Sequence, residues 1–306
     1  MNLLARLLPP RRQWDNPLFR SQVRLIKWGD SWGRMHDGTL YWALHVALLI
    51  FGTWLVFMLF LRYVAYSANS FPQNWLLVYS QNFWVAATGA SLLTSLVVDF
   101  RGITAGMPVI SEEIVSGRYE LIRLTSISPV DVIVAKYAVA RVRAWRTTAR
   151  LMWARALLAV FGLVLIAWQW FTTGVGSTVF DLFYAGAALV VGTCGAVVFV
   201  LEPYWRMKAL TALGVAISAR ALSGVSAPLA SGLALLAFWW LELVLIVTLA
   251  LLFSTASLWM LASQLAVLVC MPVVIAGFGA VIYGFYSGIQ HASLRHAAFR
   301  LALLER

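Results

Sequence analysis

The sequence predicts an all-α integral membrane protein with six transmembrane helices, an amphipathic interfacial helix ahead of them and a cytoplasmic helical segment between spans two and three. Three observations carry this expectation. Of 306 residues, 62% are hydrophobic and 11% charged, with a mean hydropathy of +0.83, too apolar a chain to cover itself with a wettable surface. Six apolar runs, near 41–65, 76–98, 151–171, 180–201, 230–253 and 264–287, each approach or exceed the roughly 20 residues that cross hydrocarbon as helix. The third is the distribution of the 23 Lys and Arg. All but Arg62 lie before the first run, between the second and third, at the mouth of the third, after the fourth or after the sixth. By the positive-inside rule both termini are expected in the cytoplasm, with the chain multi-pass in the cell (inner) membrane. The net charge of +11 is thereby a matter of topology. No aromatic-studded basic module or zinc-finger spacing points to nucleic acid.

Residues 1–40 form an N-terminal cytoplasmic segment, and 41–306 the six-span domain. In "NPLFRSQVRLIKW", Leu18, Phe19, Val23 and Ile26 suit one helical face, with Arg20, Arg24 and Lys27 on the polar side. That pattern fits a helix lying among lipid headgroups, or one packed on the protein's own cytoplasmic loops. His45 sits early in the first run between Trp42 and Trp54. Such an imidazole either packs within the bundle or ligates the metal of a tetrapyrrole, a haem or chlorophyll. The outer connections, roughly 66–75, 172–179 and 254–263, are short and nearly uncharged. The last, interrupted by Ser and Thr, reads as a segment that dips back into the bilayer.

The long inner segment, 99–150, is the soluble-looking part of the chain. Asp99 and Arg101 close the second run as interfacial anchors. Glu112 and Glu113 precede a break at Gly117. Tyr119, Leu121, Ile122 and Leu124 then alternate with Arg118, Glu120 and Arg123, as in a short amphipathic helix. Ser128-Pro129-Val130-Asp131 is a helix start: Ser caps free amides, Pro needs no N–H in the first turn, and Asp offsets the dipole. No breaker follows before Trp168, so one long helix should run from the cytoplasm through span three. On it Lys136, Arg143, Arg146 and Arg150 fall within about 80° of one another, a basic stripe facing solvent, headgroups or an acidic partner. The Gly-, Ala- and Ser-rich stretch at 202–229 reads as a connection folding back against the spans through small residues.

Residues 112–136 resemble the permeases of type 2 ATP-binding-cassette (ABC) exporters. Glu112-Glu113, Gly117, Tyr119, Glu120, Leu121-Ile122, Thr125, Ser128 and Lys136 occupy, in order, the places of that family's signature between its second and third spans. The sequence departs from it at Arg118, Ser126 and Ala135. "NPLFRSQVR" is similar to the family's Asn-Pro opening, and "ALTALGVAISARALSGVSAPLASGLAL" to its small-residue entry into span five. The resemblance implies that Gly117 to Thr125 is a coupling helix that docks, with Glu112 and Glu113, on a separate nucleotide-binding ATPase. It implies too that two permease units pair, as a homodimer or heterodimer, and that ATP and Mg²⁺ are bound by the partner.

The chain itself is not expected to be an enzyme or to hold a cofactor. A phosphate loop needs Gly-x-x-x-x-Gly-Lys-Ser/Thr, whereas Lys27, Lys136 and Lys208 follow Ile, Ala and Met. Cys194 and Cys270 lie in apolar runs without metal spacing. Glu242, read as the one acid well inside a span, is a candidate for a substrate cation or a proton, or for a structural hydrogen bond to a neighbouring helix. The expected function is export of a lipid-like or amphipathic substrate. The alternative is a non-transporting scaffold or accessory subunit of a larger membrane complex, with a tetrapyrrole on His45.

Overall fold

A computed structural model describes residues 18–19, 75–124, 127–172, 179–220, 226–260 and 264–304. The expected first span with His45, most of the interfacial helix, and Thr125 lie outside the described residues. Within them every regular element is a helix: α1 (Trp75–Gly106), α2 (Pro108–Val115), α3 (Arg118–Arg123), α4 (Pro129–Thr172), α5 (Val179–Ser218), α6 (Ser226–Met260) and α7 (Gln264–Leu304). Five stretches are long and apolar enough to cross a membrane: Leu77–Val115, Pro129–Gln169, Ala188–Ser218, Ser226–Ser254 and Cys270–Leu303. The chain is therefore a helical multi-pass membrane protein.

The long helix from Pro129 is present as expected. Asp131 N–H donates to Ser128 Oγ at 3.2 Å, and that hydroxyl donates to Asp131 Oδ2 at 2.8 Å, so cap and first-turn acid satisfy each other. With 44 residues, α4 extends about 66 Å, twice the thickness of the hydrocarbon. Two expectations fail. The stretch after residue 201 is no connection: α5 continues through Pro203 to Ser218 as one helix of 40 residues. Residues 254–260, expected as a connection, are helical, because α6 runs unbroken to Met260. In α5 the proline is tolerated because the helix is packed along its length by its neighbours, and in α6 the Ser and Thr residues can satisfy themselves on the helix's own carbonyls.

One end of the bundle carries Arg118, Arg143, Arg220, Arg295 and Arg300 and is called here the basic end. There the chain packs like a soluble protein. Val109, Ile110, Tyr119, Ile133, Tyr137, Val215, Ala297 and Leu301 form a single buried cluster from α2, α3, α4, α5 and α7. Towards the other end the helices turn apolar side chains outward, among them Leu93, Val160, Leu236 and Val247, the surface that lipid would cover. The centre is α5, packed along α1, α4 and α7, while α6 touches the other described helices only over short stretches. Where α1 crosses α5 the backbones nearly touch. A Cβ on Gly106 would stand 2.8 Å from the carbonyl of Thr211 and the amide of Val215, and one on Gly214 would collide with the Ile103 carbonyl. Here the small residues of the 202–229 stretch serve helix approach, within a helix instead of a loop.

Candidate functional site

Two assemblies bear on function. The first is the elbow formed by α2 and α3 at the basic end. Pro108 opens α2 without an N–H to satisfy, and the free amides of Ile110 and Ser111 both donate to Ser218 Oγ at 2.9 Å. The last residue of α5 thus caps α2 from another helix. Gly117 turns the chain at φ 73°, a left-handed conformation that costs a side-chain-bearing residue about 1–2 kcal/mol. Glu113 is ion-paired with Lys136, whose side chain is fully buried, so the pair bolts α2 to α4.

This geometry divides the sequence-predicted partner residues. Tyr119 is 4% exposed and belongs to the buried cluster, with Ile122 packed against its edge. Glu113 is engaged inward by Lys136. Glu112, Gly117, Arg118 and Glu120 face out, joined by two apolar side chains: Leu124, 85% exposed, and Val115, 77% exposed and not singled out from sequence. Leu121 is placed in α3 by its backbone. Of the expected stripe, Arg143, Arg146 and Arg150 are exposed, while Lys136 is not.

The second assembly lies inside the bundle, where five helices bring charged groups together. Arg206 of α5 grips Asp99 of α1 with both arms, Nε to Oδ1 at 2.7 Å and Nη2 to Oδ2 at 2.5 Å. Its third nitrogen donates to Glu242 of α6 at 2.7 Å and to Glu202 at 3.3 Å. Arg155 of α4 donates to Glu202 at 2.5 Å and to Ser95 at 2.7 Å. The Tyr286 hydroxyl of α7 donates to Glu242 at 2.6 Å and to Glu202 at 2.9 Å, and the Trp239 indole to Asp99 at 2.9 Å. Asp99, Arg155, Arg206 and Glu242 are all buried. Buried charges of this kind persist only when paired and hydrogen-bonded, and both conditions are met here.

Pro203 completes the arrangement. A proline has no N–H for the carbonyl four residues back, and that carbonyl, Phe199 O, accepts instead from Arg155 Nη1 at 3.0 Å. The side chain of another helix thus fills the hydrogen-bond gap that the proline opens.

Glu242 is therefore one member of a network, and Asp99 is a ligand of Arg206 instead of a surface anchor. Glu202 and Arg206 escaped notice in the sequence because the apolar run seemed to end at Glu202-Pro203, and Tyr286 because it reads as one more aromatic within the sixth run. The available signal was charge of both signs at spacing i, i+4 beside strongly apolar sequence. With all groups ionised, three carboxylates face two guanidiniums, which are held by mutual pairing and leave one surplus negative charge. Among the described residues no group of three or more His, Cys, Asp or Glu is placed to hold a metal ion. Cys194 and Cys270 are free thiols.

No protein-family model matches this chain, nor does any curated protein or solved structure.

Proposed function

We propose that this chain is the membrane-spanning permease subunit of an ABC-type exporter, moved by a separate ATPase that docks on the α2–α3 elbow. One observation carries the reading: the elbow is anchored on its inner side and presents a mixed apolar and charged surface on its outer side. Tyr119, the Glu113–Lys136 pair and the Ser218 cap fix it to α4 and α5. Val115, Leu124, Glu112 and Arg118 point away from the bundle. A nearly detached knob would absorb a push, whereas one bolted to two long helices passes it on. From α4 and α5 displacement reaches α1, α6 and α7 through Arg155, Glu202 and Arg206, the rigid two-way linkage that transmission between distant sites requires.

In this reading ATP and Mg²⁺ belong to the partner, both termini are cytoplasmic, the membrane is the cell (inner) membrane, and two such units face each other to enclose a path. The apolar span surfaces suit a lipid-like or amphipathic substrate better than a bare ion. The deciding experiment is purification from membranes with identification of co-purifying chains, for the wild type and for Val115→Asp with Leu124→Asp. An ATPase that accompanies the wild type and is lost from the double variant, with membrane insertion retained, supports the proposal. An ATPase that stays bound to the variant, or none with the wild type, removes it.

A further inference from the structure

Where α5 ends and α6 begins, the basic end contains a cavity of about 290 Å³. Its walls include Leu213 and Ile217 of α5, Ala230 and Ala234 of α6 and the buried Ser293 of α7. Arg220 is exposed and His296 half-buried, so these two lining residues stand at its open edge. Their side chains meet at 3.3 Å, Arg220 Nη2 to His296 Nε2. An arginine only donates, so in this contact His296 Nε2 is the acceptor. Arg300, one turn on along α7, adds further positive charge bearing on His296. Among the described residues, no carboxylate forms an ion pair with Arg220, His296 or Arg300. Arg155 and Arg206 are matched by acids; here, among the described residues, Arg220 stands beside an apolar hollow with no acid paired to it.

We propose that this cavity is a binding site for an acidic phospholipid, with its phosphate on Arg220 and His296 and its proximal acyl chain against Leu213, Ile217, Ala230 and Ala234. Position supports the assignment. The cavity opens beside the first turns of α6, a helix long and apolar enough to cross a membrane, so its apolar walls and cationic edge adjoin a candidate span. Basic pockets between helices on the side of the membrane rich in anionic lipid are suited to such headgroups. A zwitterionic lipid would bring its own cation against Arg220. A free phosphate would leave the apolar walls facing water. The site lies between α5, α6 and α7, apart from the elbow, and its existence does not depend on the ATPase reading.

The test uses the full chain in detergent, read by native mass spectrometry with phosphatidylglycerol, phosphatidylcholine and glycerol phosphate as probes. Phosphatidylglycerol should be retained in preference to phosphatidylcholine, and glycerol phosphate should fail to displace it. Arg220→Ala with His296→Ala should lower phosphatidylglycerol retention by about tenfold, the scale expected for losing one cationic contact and a neighbouring polar one. Ala234→Trp, which fills the hollow without touching charge, should lower it comparably, whereas Arg150→Ala on the exposed face of α4 should leave it unchanged. Equal retention of the two lipids would overturn the proposal. So would loss on Arg150→Ala equal to that of the double variant, or displacement by glycerol phosphate, which would indicate a free-anion site. Should the double variant not fold, the lipid preference and the glycerol phosphate competition still decide.

Discussion

Arg155 donates to the backbone carbonyl of Phe199, the carbonyl that Pro203 leaves without its helical partner. The same guanidinium holds Glu202, so one side chain both mends a break in α5 and neutralises the acid beside it. Arg155→Met should destabilise the protein by about 3–5 kcal/mol, the cost of stripping the partner from a buried charge. Pro203→Ala restores an amide for Phe199, and the pair should therefore be non-additive by about 1 kcal/mol. Denaturant titrations of the four proteins in detergent measure this coupling directly, and strict additivity would show that the two features are independent.

The Glu113–Lys136 pair is asymmetric, since Lys136 is fully buried and Glu113 is 17% exposed. Glu113→Gln strands an ammonium in the interior and should cost about 3–5 kcal/mol. Lys136→Met leaves a carboxylate on a partly exposed side chain that can turn toward water, at roughly half that cost. Combining the two should return much of the loss. Unfolding midpoints of the three variants provide the comparison, and equal single effects would contradict the burial argument.

Ser218 accepts from two amides at the start of α2. Its replacement by Ala leaves both without an acceptor, at about 1–3 kcal/mol. Because the hydroxyl serves α2 alone, amide hydrogen exchange should quicken across residues 109–116 while the first turns of α4 stay protected. Exchange rising equally in both would mean that the cap holds the whole basic end.

Glycines in this bundle divide by what surrounds them. Gly214 lies against the backbone of α1, and Gly89 has nothing within 4 Å of where a Cβ would stand. Gly214→Val should force α1 and α5 apart and cost about 1–3 kcal/mol or more. Gly89→Ala should be neutral or gain up to about 1 kcal/mol from helix propensity. Thermal unfolding in detergent separates the two, and a tolerated Gly214→Val would deny the close crossing.

Length and hydropathy were enough to anticipate five of the membrane-crossing helices, and the Ser128-Pro129-Asp131 start was legible because capping is chemistry within four residues of chain. What could not be read was pairing across the fold. Glu113 finds Lys136 twenty-three residues away, and Tyr119 turns inward because α3 lies on a surface built by α4, α5 and α7, which no local periodicity encodes. Glu202-Pro203 misled for a physical reason: alone, an acid followed by a proline ends a span. Here Arg155 supplies both the counter-charge and the missing hydrogen bond, so helix α5 continues.

The loose seating of α6 gives the Arg206–Glu242 contact a further meaning. Packing attraction is indifferent to small amounts of water, whereas the attraction between opposite charges falls many-fold as the medium between them changes from protein to water. Leu235 and Phe238 seat α6 by packing, and the Arg206–Glu242 contact adds a part that hydration would weaken: the hold on this helix is the sum of one contribution that ignores stray water and one that does not.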